Sequence, residues 1–287
     1  AVSSGALTLD VTSDIILNAD GGDVFLADGS VTYGTLKNSS SHFFIESLVS
    51  DKDILIRGND GGSTITAVEF DMSAAGAATF NSTVKSAGLQ TTTAGSSNFI
   101  AGVNAGNSIT SGGNFNTAVG DEAGTAITTG DNNTLFGYGS GDALDTAVNN
   151  TAIGHNALTA DTKGSYNVAI GKGTLASQNF TSATDSFNVA VGSSAGNDIT
   201  TGIDNTLIGA NAGDALTDAD YNTAIGFESL SSDTLGSRSV ALGYFALRNQ
   251  NFTSATDSYN TALGFAAGEA TTTGTNNTFI GGLSGDA

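Results

Sequence analysis

The pentapeptide Asn116-Thr117-Ala118-Val119-Gly120 is the unit from which most of the chain is built, because variants of it recur throughout the following sequence. The copies begin at residues 98, 116, 133, 150, 167, 188, 205, 222, 239, 260 and 277. Most intervals are equal, as from 116 to 133 and from 133 to 150, whereas those that begin at 167 and 239 are longer. We call the coils with these two longer intervals the wide coils. A fixed short period is typical of solenoids, in which each repeat forms one coil that stacks on the next.

A second, longer period lies on top of the short one, because residue i often matches residue i + 72. The segment Gln178–Ser186 reappears unchanged as Gln250–Ser258, each time within a wide coil. Leu135, Leu207 and Phe279, which replace the usual alanine of the pentapeptide, are separated by the same long period. Duplication of a four-coil block accounts for both observations.

Residues of the repeat alternate in size, as in a β-strand with two different faces. Val189 and Val191 fall on one face, and Ala190 on the other. We expect the large residues to fill the interior of the coil and the small residues to form a surface that a second chain approaches. The predicted chain–chain interface consists of Ala118, Ala152, Ala169, Ala190, Ala224, Ala241 and Ala262. This assignment also turns the threonines at the first strand position inward, which argues against an ice-binding surface.

We therefore predict an all-β fold, a parallel β-solenoid (β-roll) of about 17-residue coils that rise about 4.8 Å each. Each coil is expected to contain a strand, a tight turn, a short second strand and a return loop. So short a coil encloses little core. Because association of three chains would bury the small-residue face, we expect a homotrimer, with a monomeric solenoid as the alternative.

The composition excludes several classes of protein. The 287 residues include 39 glycines but no proline or cysteine, so disulfides, thiolate metal sites and cysteine nucleophiles are excluded. The 8 basic against 28 acidic side chains give a net charge of −20, which argues against a nucleic-acid partner. The apolar runs are too short for a membrane-spanning segment, and we expect no signal peptide at Ala1.

The repeat resembles a known family motif. Arg238-Ser239-Val240-Ala241-Leu242-Gly243 is similar to the N-S-V-A-I-G repeat in the head domains of trimeric autotransporter adhesins, and related repeats occur in bacteriophage tail-fibre proteins. The resemblance covers about residues 97–287. It implies a homotrimer of parallel β-rolls that is displayed outside the cell or virion and used for attachment. The repeat of that family is shorter than the one in this chain, so the loops here are longer.

Residues 1–95 have a different pattern and are expected to form a β-rich N-terminal module that resembles the shaft segments of phage fibres, with residues 96–287 forming the solenoid. Short alternating runs predict strands. The predicted strands are Leu7–Val11, Ile15–Leu17, Val24–Leu26, Phe43–Ile45 and Ile54–Ile56. The small and polar segments 74–78 and 86–97 are expected to join the modules.

A few residues fit metal-binding or phosphate-binding patterns only in part. Asp20, Asp23 and Asp28 lie near glycines, but their spacing matches neither an EF-hand nor a calcium β-roll, so we expect a turn. The segment Gly171–Thr174 lacks the spacing of a phosphate-binding loop. No metal and no cofactor are therefore expected.

Catalytic patterns are equally incomplete. His42 and His155 are the only histidines, and neither lies near a serine in a nucleophile-elbow pattern. Paired acids can cleave glycans. The candidate pairs are Asp121 with Glu122, Asp142 with Asp145, and Asp218 with Asp220. Because each pair falls in or beside a predicted turn, we expect solvated loops and no catalytic residues.

Asn-X-Ser/Thr triplets mark candidate glycosylation or contact positions. They begin at Asn38, Asn81, Asn132, Asn149, Asn179, Asn251 and Asn276. Asn179 and Asn251 lie in the two wide coils, where we expect exposed loops that make contacts.

The resulting expectation is a non-enzymatic extracellular fibre or adhesin segment, which acts as a stiff spacer and presents loops to a cell-surface receptor or glycan. Its partners would be further copies of itself and that receptor. Two alternatives remain open. One is a self-assembling extracellular filament subunit, and the other is a glycan-cleaving β-helical spike.

Overall fold

The computed structural model of the chain describes residues 23–28, 30–40, 42–73, 77–80 and 94–286. The chain divides into two compact units, Ala1–Gly88 and Leu89–Ala287. All regular structure in the described residues is β-strand, which confirms the all-β prediction. Within those residues there is no apolar helix of membrane-spanning length.

The described part of the first unit contains two antiparallel sheets of three strands, in the orders β1-β2-β3 and β4-β5-β6. The strands are β1 (Asp23–Asp28), β2 (Val31–Ser39), β3 (His42–Ser47), β4 (Ile54–Asp60), β5 (Ser63–Asp71) and β6 (Ala77–Phe80). The predicted strands at 24–26, 43–45 and 54–56 fall within β1, β3 and β4, whereas those at 7–11 and 15–17 lie outside the described residues. Strand β6 also overlaps the predicted joint at 74–78.

Several large apolar side chains of these two sheets are exposed. Phe25, Phe43 and Ile45 are 61%, 70% and 62% exposed. Among the residues of the first unit whose burial is described, only Gly34 and Thr35 are buried. Within the described residues of this unit, these apolar side chains form no buried core.

The second unit is a parallel β-solenoid of eleven coils, as predicted. Eleven strands, each of 3 residues, form one parallel sheet, in which every strand pairs with those of the preceding and following coils. In chain order the strands of this unit are β7 (Phe99–Ala101), β8 (Thr117–Val119), β9 (Thr134–Phe136), β10 (Thr151–Ile153), β11 (Gly164–Ser165), β12 (Val168–Ile170), β13 (Thr184–Asp185), β14 (Val189–Val191), β15 (Thr206–Ile208), β16 (Thr223–Ile225), β17 (Gly236–Ser237), β18 (Val240–Leu242), β19 (Thr256–Asp257), β20 (Thr261–Leu263) and β21 (Thr278–Ile280). Each strand of the long sheet begins directly after a predicted coil start.

The return half of the coil differs from the prediction. A second strand forms only beside the wide coils, where β11 pairs with β13 and β17 with β19. Elsewhere in the described solenoid the return half consists of turns and bends. Left-handed residues such as Asn156 and Leu158, with φ of 54° and 56°, bend the chain too sharply for a continuous strand.

The predicted direction of the two strand faces is wrong. The middle residue of each strand points into the coil, so the alanines assigned to a chain–chain interface form the core. Ala118, Ala152, Ala169, Ala190, Ala224, Ala241 and Ala262 are all 0% exposed. Alternation groups residues by face but does not show which face is inside. The interior is so narrow that an alanine from the strand and a leucine or isoleucine from the return half fill it.

Large and small residues compensate across this narrow core. Where Leu135 replaces the strand alanine, the facing positions in its own and the preceding coil are Gly141 and Gly124. A Cβ atom added at Gly124 or Gly141 would lie 2.7 or 2.8 Å from a methyl group of Leu135. In the next coil the strand residue is Ala152 and the facing residue is Leu158, and both are fully buried. The leucines therefore recur at the long period because the glycines that make room for them recur at the same period.

Buried asparagines connect the coils at the residue before each strand. Asn150 N donates to Asn133 Oδ1 at 3.0 Å, and Asn150 Nδ2 donates to Gly164 O at 2.9 Å. Asn167 N donates in turn to Asn150 Oδ1 at 2.9 Å. The pattern runs from Asn98 to Ser239 and again from Asn260 to Asn277. This asparagine ladder satisfies backbone groups that the narrow coil shields from water.

Candidate functional surfaces

The long sheet presents a surface of apolar residues and threonines to solvent. We call the first and third residues of its eleven strands the outer sheet face. Third-position side chains on this face include Phe136, Leu242, Leu263 and Ile280, which are 56%, 42%, 45% and 69% exposed. The first position is threonine in most of these strands. These threonines face outward, whereas the sequence analysis placed them inward. No residue of the outer sheet face is charged.

A column of strained residues borders the outer sheet face. The residue that precedes each position of the ladder has φ between 48° and 64° in all eleven coils. The corner residues are Ser97, Phe115, Asn132, Asn149, Tyr166, Phe187, Asp204, Tyr221, Arg238, Tyr259 and Asn276. Asparagine and aspartate tolerate this left-handed conformation, but aromatic side chains do so at a cost. Five of these corners nevertheless carry aromatic rings, all at least 42% exposed.

Aromatic side chains also line the other end of several strands, just after the strand-closing glycine. The rings of Phe227, Tyr244 and Phe265 stack at centroid distances of 5.3 and 5.4 Å. Arg248 lies over the Phe245 ring at 4.0 Å and pairs with Glu228 at 2.8 Å. The outer sheet face is thus bordered by exposed rings on both sides.

The two wide coils carry the second candidate surface, the wide-coil loops 178–186 and 250–258. In the first loop Asp161 Oδ1 accepts hydrogen bonds from the backbone nitrogens of Gly164 and Phe180, at 3.0 and 3.1 Å. Gln178 Nε2 donates to Asp161 Oδ2 at 2.6 Å, and Asn188 Nδ2 donates to Gln178 Oε1 at 2.9 Å. This network ties the loop to the asparagine ladder.

The second wide-coil loop is anchored in the same way. Asp233 Oδ1 accepts from the nitrogens of Gly236 and Phe252, both at 3.0 Å. Gln250 Nε2 donates to Asp233 Oδ2 at 2.6 Å, and Asn260 Nδ2 donates to Gln250 Oε1 at 2.8 Å. The identical anchors hold both loops in equivalent positions on their coils.

The candidate catalytic acid pairs serve as links between coils. Asp142 Oδ1 accepts from Thr159 Oγ1 at 2.6 Å, whereas Asp145 Oδ1 accepts from Thr128 Oγ1 at 2.5 Å. The two carboxylates therefore bind in opposite directions, to the following and the preceding coil.

The other two pairs bind only preceding coils. Asp121 Oδ1 accepts from Val103 N at 3.1 Å, and Glu122 Oε1 accepts from Asn104 Nδ2 at 3.1 Å. Asp218 and Asp220 accept from Thr201 Oγ1 at 2.6 Å and from Ile203 N at 2.8 Å. These contacts give every candidate acid a structural partner.

Three carboxyl groups of the solenoid have raised pKa values. Burial raises the pKa of Asp214 to about 6, and the negative charges of Asp198 and Glu228 add to the shift. One carboxyl oxygen of Asp214 is buried without a hydrogen-bond partner in the described part of the chain. Burial also raises the pKa of Asp161, against the opposing effect of its hydrogen bonds from Gln178 and the backbone. The pKa of Asp220 is raised by burial and, to a lesser extent, by nearby carboxylates.

The remaining candidates for chemistry are placed separately. His42 packs edge-on against Phe44 at 6.4 Å, and His155 stacks on Tyr138 at 5.3 Å. In the segment 171–174, Thr174 Oγ1 donates to Gly192 O at 2.7 Å, which is a link between coils. Asp23 and Asp28 begin and end β1, and Asp20 lies outside the described residues. Among the described residues, no group of three or more His, Asp or Glu side chains is arranged to hold a metal ion.

The candidate glycosylation positions of the solenoid fall into two sets. Asn132, Asn149 and Asn276 are exposed corner residues. Asn179 and Asn251 lie near the start of the wide-coil loops, and their side-chain oxygens accept hydrogen bonds from Thr162 and Thr234 at 3.2 and 3.3 Å.

Sequence reasoning did not identify the outer sheet face, because it assigned the large strand residues to the interior. The glycine after each strand was the available signal that the coils pack closely. Gly154 has a φ of 134°, and an added Cβ would lie 2.5 Å from the Gly171 carbonyl oxygen, so coils touch backbone to backbone there.

No protein-family model, curated protein or solved structure matches the chain.

Proposed function

We propose that this chain is a non-enzymatic structural segment of an extracellular fibre, which associates with further copies of itself, acts as a stiff spacer and presents loops for attachment. The outer sheet face is the observation that carries the proposal. An uncharged surface along eleven coils, with a column of exposed apolar residues, is unusual for a monomer, because large exposed apolar patches mark interaction sites.

Charge favours another copy of this chain as the occupant of the outer sheet face. The chain has a net charge of −20, so two copies repel one another over most of their surface. The outer sheet face carries no charged residue and is therefore where copies can approach without that repulsion. The exposed sheets of the first unit, with Phe25 and Phe43, supply further apolar surface that association would bury.

The solenoid interior supports the role of a spacer. Eleven coils at about 4.8 Å each extend roughly 50 Å. The asparagine ladder and the backbone hydrogen bonds between coils run along this direction, so bending the rod requires breaking buried hydrogen bonds. The resemblance of the repeat to adhesin heads and tail fibres supports three copies and an attachment role outside the cell or virion.

Light scattering coupled to size exclusion tests the assembly. We expect the mass of three chains for the unaltered protein. Leu242→Glu places a charge on the outer sheet face and should shift the mass toward one chain. Asn249→Glu adds the same charge at an exposed residue of the return half and should leave the mass unchanged. A single-chain mass for the unaltered protein at all concentrations would refute self-association.

A further inference from the structure

Because the four-coil block is duplicated, each exposed residue of one copy can be compared with its counterpart in the other copy. Outside the wide-coil loops, exposed positions one long period apart mostly differ. Lys172 corresponds to Tyr244, and Tyr166 corresponds to Arg238. Interior positions are mostly retained, as expected for a packed core, although Ser239 corresponds to Asn167. The duplicated block has therefore diverged on its surface while keeping its fold.

The wide-coil loops depart from this pattern. Thr181, Ser182, Ala183 and Asp185 are exposed, yet all four recur in the second loop. The hydroxyl groups of Thr181 and Ser182 make no hydrogen bond within the described residues. The fold thus accounts for retention of the anchors from 178 to 180 but not for retention of the loop tip. A glycosylation triplet at Asn179 would not require Ser182 or Asp185 either.

We infer that the two loops are duplicate copies of one recognition element that binds a neutral polysaccharide. Each tip presents hydroxyl groups and a carboxylate but no large apolar surface. Such groups exchange hydrogen bonds with sugar hydroxyls, whereas Asp185 and the net charge of −20 repel anionic polymers. This inference rests on the proposed attachment role and specifies where that attachment occurs.

The hydroxyl groups are the feature that the two tips share most closely. In the second loop the carboxylate of Asp257 pairs with Arg238 at 3.0 Å, whereas in the first block the residue that corresponds to Arg238 is Tyr166, which carries no positive charge. Thr253 and Ser254 are exposed in the same way as Thr181 and Ser182. The threonine and serine of each tip are therefore the residues to change in a test.

The spacing of the loops suits a repeating ligand. They lie four coils apart on one solenoid, about 19 Å at about 4.8 Å per coil. A small polar tip binds weakly alone, but two tips held at a fixed distance bind one polymer with increased avidity, commonly about 10²-fold or more. A polysaccharide presents the same unit repeatedly, so two similar tips can both engage it.

Variants of the tips test the inference. One variant carries Thr181→Ala with Ser182→Ala, the second carries Thr253→Ala with Ser254→Ala, and the third combines all four changes. Binding is measured by surface plasmon resonance on immobilised neutral glucan, mannan and galactan, with an anionic polysaccharide as comparison. Ser193→Ala is the control, because Ser193 is exposed and its counterparts, Asp121 and Phe265, differ.

We expect each single-loop variant to lose at least about tenfold in apparent affinity for one neutral polymer, and the combined variant to lose all measurable binding. The control should bind as the unaltered protein does. Failure of the unaltered protein to bind any neutral polymer, or equal binding by the combined variant, would overturn the inference. Adhesion of the combined variant to whole cells distinguishes the two proposals: if adhesion persists, attachment stands and the loop assignment fails.

Discussion

The backbone nitrogen of Asn133 donates to Oδ1 of Asn116 at 2.9 Å, and both side chains are fully buried. Asn116 lies one coil earlier, so this hydrogen bond joins two coils through the interior. Asn133 repeats the relationship with Asn150, whose nitrogen lies 3.0 Å from Asn133 Oδ1. The asparagine that opens a repeat in the sequence is therefore a coil-to-coil connector.

Replacing Asn133 with alanine should destabilise the solenoid strongly. The change removes the acceptor for Asn150 N and the donor to Ala147 O, and each buried group left unpaired costs about 1–3 kcal/mol. The midpoint of urea unfolding should fall, and hydrogen exchange of the amides near residue 150 should accelerate first. Asn133→Ser should be milder, since Ser239 occupies this position naturally. An unchanged midpoint for the alanine variant would contradict the connector role.

Much of the fold follows from the repeat. The eleven coil starts and the parallel stacking were predictable, because a fixed period admits few other structures. The direction of the strand faces was not predictable, because Ala190 and Val191 alternate equally well in either orientation. Neither was the role of Asn188, since an asparagine before a strand could equally lie in a solvated turn.

The pairing of Leu135 with Gly141 predicts strong coupling between the two positions. Leu135→Ala should cost about 2–5 kcal/mol by opening a cavity. Gly141→Leu should also destabilise, because a Cβ there already lies 2.8 Å from Leu135 Cδ2. The double variant places the Ala152–Leu158 pair at these two positions and should lose less than the sum of the single losses, although Leu144, whose Cδ1 would also lie 2.8 Å from the added Cβ, limits the recovery. A double-mutant cycle from urea unfolding measures the coupling, and simple additivity would exclude the compensation.

Phe115→Asn should stabilise the isolated chain. Phe115 has a φ of 57° and is 61% exposed, and no ring contact is seen for it among the described residues. Asparagine relieves the left-handed strain, which stabilises the fold by about 1 kcal/mol, and it already occupies the corners at 132 and 149. Thermal unfolding under conditions that keep the chain monomeric should show a higher midpoint. If the ring is covered on association, the same variant should weaken the assembly, which light scattering across a dilution series would detect.

The Asp214 carboxyl should make stability depend on pH in the direction opposite to that of a salt-bridged acid. Its pKa is raised from 3.8 to about 6, so the folded chain binds the proton more tightly than the unfolded chain does. The stability that this protonation contributes is fully present below about pH 4 and is lost as the pH rises through about 6. Asp214→Asn removes the buried charge and should raise the unfolding temperature at pH 7.5, with little effect at pH 4. Because the carboxyl is only partly buried, nearby solvent should keep the gain modest. Thermal unfolding of both proteins across this pH range measures the difference, and a larger gain at pH 4 than at pH 7.5 would show that the charge on Asp214 does not oppose folding.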